Sequence, residues 1–243
     1  MIMRQNSTYK ETMPALKRHL TMVSALSLLC LTACQTTSQH ASSTQTDSEI
    51  DAIDRALSQA VATAAMSGVK ENSFALLERL YTRNSDDPKM ALLYAQALRK
   101  ENRLTRAALV IAPHANNPKT PSAFKGPLLT EYATLLAAMG DYSKAEYYAR
   151  QAVMEAPEQG RPYHVLGLSL DAQGHHEEAE VALRKAIDRW SGDPTPVLNN
   201  LGLNLAAQGF LDDAVEILRK AKAAAPNREE IERNLRIVLA LYT

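Results

Sequence analysis

The chain has 243 residues, with 27 lysines and arginines against 27 aspartates and glutamates, so its formal net charge is zero. That balance, with no basic patch, excludes a nucleic-acid surface of the usual electrostatic kind. Apolar residues make up 46%, enough for an all-helical core, while two cysteines, Cys30 and Cys34, exclude a disulfide framework.

The first segment reads as an export signal over residues 1–33. Lys17, Arg18 and His19 precede an apolar run, Leu20–Leu31, which ends in Leu31-Thr32-Ala33-Cys34. A basic region, a short apolar stretch and a small residue before the cut describe a secretory signal. The run is too short to remain as a membrane-spanning helix. The four-residue tail resembles a bacterial lipobox, which implies cleavage before Cys34 and acylation of its thiol. Gln35 rather than an aspartate follows. By resemblance to the enterobacterial sorting rule, this implies an outer-membrane address on the periplasmic face. Met13 is an alternative start, since the region before Lys17 is long. Cleavage would remove Cys30 and lipidate Cys34, leaving no thiol for a disulfide, a metal or catalysis. Residues 34–48 then hold the lipidated cysteine and a polar stretch whose one apolar residue is Ala41, a composition that makes a flexible tether rather than a core.

Residues 49–243 carry a repeating pattern. A faint unit from 54 offers Leu57, Ala60, Ala64, Gly68, Ser73 and Leu77. The unit from 88 gives Tyr94-Ala95, Leu98, Asn102 and Ala107, and the unit from 126 gives Tyr132-Ala133, Leu136, Gly140, Ala145, Ala152 and Pro157. The units from 160 and 195 overlay residue on residue: Leu166-Gly167, Leu170, Gly174, Ala179, Leu183 and Ala186 match Leu201-Gly202, Leu205, Gly209, Ala214, Leu218 and Ala221. In each, large apolar residues three or four apart make one stripe of a helix. A left-handed residue then ends it, glycine or, at position 102, asparagine. A second stripe follows, antiparallel to the first, with small residues where the two backbones approach. The step from 88 to 126 is long, and its excess falls near Asn116–Ser122, a loop with Pro118 and Pro121. A last helix spans 229–242, with Ile231, Leu235, Val238 and Leu239. One such hairpin cannot bury both faces, so neighbours must stack.

This pattern resembles the tetratricopeptide repeat (TPR), a helix–turn–helix of 34 residues. The resemblance implies an all-α, right-handed superhelical solenoid of antiparallel helix pairs. His114 stands where the repeat has a small residue, and only the units from 126 and 195 end in the expected proline, Pro157 and Pro226. It also implies that the fifth and ninth positions of each unit line a concave groove that binds protein segments. Those are Leu92 and Gln96, Thr130 and Thr134, His164 and Leu168, and Asn199 and Leu203, with Asp171 beside them and Arg99 and Lys100 at one end. TPR units that grip a terminal carboxylate need a Lys–Asn set in successive repeats. Only Asn200 matches it, which disfavours that ligand.

No catalytic set, metal or cofactor is expected. In His175-His176-Glu177-Glu178 the histidines are adjacent and point apart, whereas a zinc helix places two histidines four apart on one face. That stretch occupies the turn between helices, where its acids meet the positive end of the second helix. Tyr142 and Tyr148 read as packing residues and Tyr147 as the exposed one. The run Ile237–Tyr242 is apolar nearly all round, so its outer side is expected to dock on a partner or a second copy.

Among TPR lipoproteins the chain resembles that of the tight-adherence (Flp pilus) assembly system, TadD type. The resemblance rests on Leu-Asn-Asn-Leu-Gly-Leu at 198–203, Gln-Gly-Phe-Leu-Asp-Asp-Ala at 208–214, Arg-Asn-Leu-Arg-Ile-Val-Leu-Ala-Leu at 233–241, Asp-Asp-Pro at 86–88 and Ala-Gln-Ala-Leu-Arg at 95–99. It implies a non-enzymatic, pilotin-like role toward an outer-membrane secretin in pilus assembly. The alternatives are an adaptor that recruits a periplasmic peptidase or cell-wall hydrolase, and a type IV pilus pilotin.

Overall fold

The computed structural model describes residues 70–242. The signal segment, Cys34, the tether and the front half of the unit from 54 lie outside the described residues.

Ten helices occur among the described residues: α1 Lys70–Arg83, α2 Pro88–Lys100, α3 Leu104–Ala115, α4 Ser122–Ala138, α5 Tyr142–Glu155, α6 Gly160–Asp171, α7 His176–Asp188, α8 Thr195–Ala207, α9 Leu211–Ala224 and α10 Glu229–Ala240. They pack in consecutive pairs, α2 on α3, α4 on α5, α6 on α7 and α8 on α9. First helices also pack on the next first helix along the array, from α2 to α4, α6, α8 and α10, whereas second helices reach one another through long side chains, as Arg150 of α5 does to Glu178 of α7 at 3.2 Å. The first helices therefore form the closely packed face, and the second helices splay apart behind it.

The turns follow one chemistry. Asn102 (φ 57°), Gly140 (φ 83°), Gly174 (φ 81°) and Gly209 (φ 87°) are left-handed. In each turn the next residue's N–H donates back to the last buried leucine of the first helix: Arg103 to Leu98, Asp141 to Leu136, His175 to Leu170 and Phe210 to Leu205. This double closure satisfies carbonyls that the helix end would otherwise leave open. Asn102 replaces a glycine because its short polar side chain tolerates this region.

Small residues set the spacing between paired helices. Ala179, Ala186, Ala214 and Ala221 are fully buried. A Cβ on Gly167 would lie 2.7 Å from Leu183 Cγ, and one on Gly202 would lie 2.6 Å from Leu218 Cγ. Gly160 is tighter still, since its Cβ would meet the Ala186 carbonyl oxygen at 2.6 Å and the Arg189 carbonyl carbon at 3.0 Å. Backbone cannot swing aside as a leucine can. Gly160→Ala is thus expected to lower unfolding free energy by about 2–3 kcal/mol, as overpacked sites do. Gly140→Ala, strained in φ but in open space, should lose only about 1 kcal/mol. Urea unfolding of both variants checks the order, and equal losses would mean that α6 and α7 part freely.

Two features depart from the repeat. Helix α4 starts at Ser122, a turn ahead of the boundary at 126, so part of the long step is helix rather than loop. Phe124 packs against the N-terminal core, and Lys125 Nζ donates to the carbonyls of Ala115 (2.7 Å) and Asn117 (3.0 Å), closing the end of α3. Helix α1, in the second half of the faint unit, docks on α2 through rings: Tyr81 stacks on Tyr94 at 5.0 Å, and the Tyr94 hydroxyl donates to Glu78 at 3.0 Å. Arg106 adds an ion pair to Glu78 at 2.6 Å.

Candidate functional site: a depression on the first-helix face

The first helices expose one recurrent strip, and between units it deepens into a hollow of about 230 Å³. Helix α2 contributes Arg99, α4 contributes Thr130, Glu131 and Thr134, and α6 contributes Arg161, His164, Val165 and Leu168. Trp190, just beyond α7, and Pro196, in the first turn of α8, close one side. Arg99, Thr130, Thr134, His164 and Leu168 come together here from the residues named by repeat position.

The others lie elsewhere on the same strip. Leu92 packs against the N-terminal core, and Gln96 is half-buried on α2. Lys100 is exposed at the end of α2. Asp171 is engaged in the scaffold: its Oδ1 lies 2.8 Å from His176 Nδ1 and accepts from Asn204 Nδ2 at 2.6 Å, tying α6, α7 and α8 together. Asn199 Oδ1 accepts from Asn234 Nδ2 of α10 at 2.8 Å, and Leu203 is half-buried on α8.

Within the hollow, polar groups divide into those engaged and those open. Thr130 Oγ1 donates to Gly126 O (2.8 Å) and Thr134 Oγ1 to Thr130 O (2.7 Å), so both hydroxyl protons bond their own helix. Glu131 is 4% exposed, and Arg99 neutralises it through Nε to Oε1 at 2.6 Å and a longer 3.4 Å contact from the second nitrogen. His164 is partly buried, its ring edge-on to Trp190 with centroids 5.4 Å apart. Its Nε2 lies 2.8 Å from the Asn200 side-chain nitrogen, which can only donate, so the ring proton sits on Nδ1. Burial first, and the Arg161 charge second, lower its pKa from 6.5 to about 4, leaving the imidazole neutral at pH 7. Arg161 is exposed and makes no hydrogen bond or ion pair among the described residues.

Arg161, Glu131, Trp190 and Pro196 were not reached by repeat position. Trp190 is the single tryptophan of the chain, at the end of a unit, which is the one signal that singles it out.

The histidine pair straddles the start of α7. Helix α7 starts at His176, so His176, Glu177 and Glu178 form its first turn rather than the loop, and His175 is exposed ahead of it. Among the described residues no three His, Cys, Asp or Glu side chains are grouped to hold a metal ion. Tyr148 packs on Tyr132 at 4.6 Å, whereas Tyr147 is largely exposed. At the end of the array Val238 is buried, but Ile237, Leu239, Leu241 and Tyr242 face outward, and the Tyr242 hydroxyl donates to Asp212 at 2.6 Å. No helix among the described residues is long and apolar enough to cross a membrane.

Helix pairs closed by left-handed residues, spaced by buried glycine and alanine and stacked with first helices on one face, define the TPR class, and the described residues fold as TPR repeats. Tetratricopeptide-repeat sequence profiles match residues 160–189 and 197–225. In structure the chain is similar to a thermophilic TPR protein from Thermus thermophilus, at 19% identity over 77% of this chain and 98% of that one, with a TM-score of 0.59. It is also similar to MamA, from residue 41 to the end, of Desulfovibrio magneticus, at 20% identity over 74% and 94%, with a TM-score of 0.54. A third is YrrB, a TPR protein with an unusual peptide-binding site, at 19% identity over 68% and 83%, with a TM-score of 0.51. At these identities the likeness is one of fold. No curated protein matches the sequence.

Proposed function

We propose that this chain is a lipid-anchored TPR scaffold on the periplasmic face of the bacterial outer membrane, where it holds a protein segment against its first-helix face. Its place is in Flp (tight-adherence) pilus assembly, as a pilotin-like factor for the secretin. The observation that carries segment binding is the hollow between α2, α4, α6 and α8, which joins apolar walls to an open cation, Arg161. YrrB, with its peptide-binding site on the same fold, supports that reading by analogy of fold. The membrane address rests on Leu31–Cys34, and the pilus assignment on the stretches at 198–203, 208–214 and 233–241.

The test compares secretin multimers in outer-membrane fractions of cells carrying the wild-type protein, no protein, or Cys34→Ser. Multimers should be lost without the protein and mislocalised with the serine variant. Normal multimers in all three strains would remove the pilotin role and favour the hydrolase-adaptor alternative.

A further inference from the structure

The charges around the hollow do not cancel. Arg99 and Glu131 neutralise each other, and His164, buried and beside the Arg161 charge, is a neutral imidazole whose Nε2 accepts from Asn200. Asp193, next to the Trp190 wall, is engaged by Thr195 and by Arg228 at 2.8 Å. Among the described residues one charge remains here, the Arg161 guanidinium, at a rim walled by Val165, Leu168 and Trp190. An open cation beside an apolar wall is complementary to a carboxylate followed by an apolar side chain.

A second feature says what kind of molecule carries that carboxylate. From His164 a row of side-chain amides runs along the same face: Asn200 donates to His164, Asn199 reaches Asn200 at 3.4 Å, and Asn234 donates to Asn199 at 2.8 Å. The Asn199 amide nitrogen has only that long contact for its two hydrogens, and the Asn234 side-chain oxygen accepts nothing among the described residues. Amides with spare donors and acceptors suit the backbone of an extended polypeptide, and a lipid chain would leave them unsatisfied.

We propose that the hollow selects an extended protein segment by an acidic side chain, whose carboxylate pairs with Arg161 while a neighbouring apolar side chain lies against Leu168 and Trp190. This rests on the reading that the first-helix face holds a protein segment, and it names the chemistry of that segment.

The experiment uses the full-length protein in detergent micelles. It is challenged with random twelve-residue peptides displayed at the N-terminus of a phage coat protein, so that no peptide has a free carboxyl end. The wild type should select peptides with Asp or Glu within two residues of Leu, Ile or Phe. Those peptides, synthesised with amidated ends, should bind Arg161→Glu about tenfold more weakly, and a Lys-for-Glu peptide should recover binding to that variant. Arg161 is exposed and unbonded, so the variant folds, and circular dichroism verifies it. If selected peptides lack acids, or Arg161→Glu leaves their affinity unchanged while Leu168→Asp abolishes it, the acidic specificity is wrong and the groove reading stands. If neither Leu168→Asp nor Trp190→Ala changes binding, both are wrong.

Discussion

Arg99→Met is expected to destabilise the array by about 3 kcal/mol, the scale on which a buried ion pair loses one partner. The reason lies in Glu131, whose side chain is 5% exposed against 30% for Arg99. Without the guanidinium, its carboxylate stays buried in the wall of the hollow without its ion-pair partner. The partners belong to α2 and α4, so the loss falls on the interface between two successive units. Stability in a repeat array is close to a sum of unit and interface terms. The first unfolding step should therefore be α1–α3 leaving the rest, seen as hydrogen exchange that quickens in residues 70–115 and little beyond 160. Arg99→Met with Glu131→Leu should return to within about 1 kcal/mol of wild type, because paired apolar groups replace paired charges at small net cost. A double variant no more stable than Arg99→Met would show that the pair's geometry, not the stranded charge, governs this interface.

The sequence disclosed the hairpins because the features that make them are local. Leu166-Gly167 and Leu201-Gly202 repeat at a fixed offset, since each glycine must admit a leucine from the helix behind it. Gly174 and Gly209 end their helices for a reason internal to one turn, and Asn102 was legible for the same reason. The extra turn of α4 was not, because Pro118 and Pro121 suggest a break while the Lys125 contact that closes α3 exists only once the chain has folded. The same division runs through the hollow. Thr130, Thr134, His164 and Leu168 were found because helical repetition places equivalent positions on one face. Arg161 and Trp190 come from different points of their unit and meet only through packing. Asp171 has the position of a groove residue, yet Asn204 and His176 claim its carboxylate, a pairing across three helices that no local pattern reveals.

His164 should give the array a loss of stability on mild acidification that a single substitution removes. Its folded pKa is about 4, below the ordinary value of 6.5 that the unfolded chain regains. Between those values the unfolded state binds the proton and the folded state refuses it, so stability falls as pH drops from 6.5 toward 4 and the effect is complete below that. At pH 5 the expected loss relative to pH 7.5 is about 2 kcal/mol, an upper figure for a ring that keeps some solvent contact. Carboxylates act in a separate window. Glu146 and Glu180 are lowered from 4.5, with burial opposing and hydrogen bonds from Arg150 and Gln173, and from Arg184 and Gln208, prevailing, so their contribution is present above 4.5 and is lost only at lower pH. His164→Gln keeps an acceptor for Asn200 and does not titrate. Urea midpoints of the two proteins should therefore run parallel above pH 6.5 and separate between 6.5 and 4.5, with the variant the flatter. Parallel profiles throughout would mean that the imidazole meets water freely, and that Trp190 and Asn200 do not close over it. The same ring bridges α6 to α8 through Asn200, so protonation severs an inter-unit bond and sets a second cation beside Arg161. Acid should thus open the hollow before it unfolds either unit.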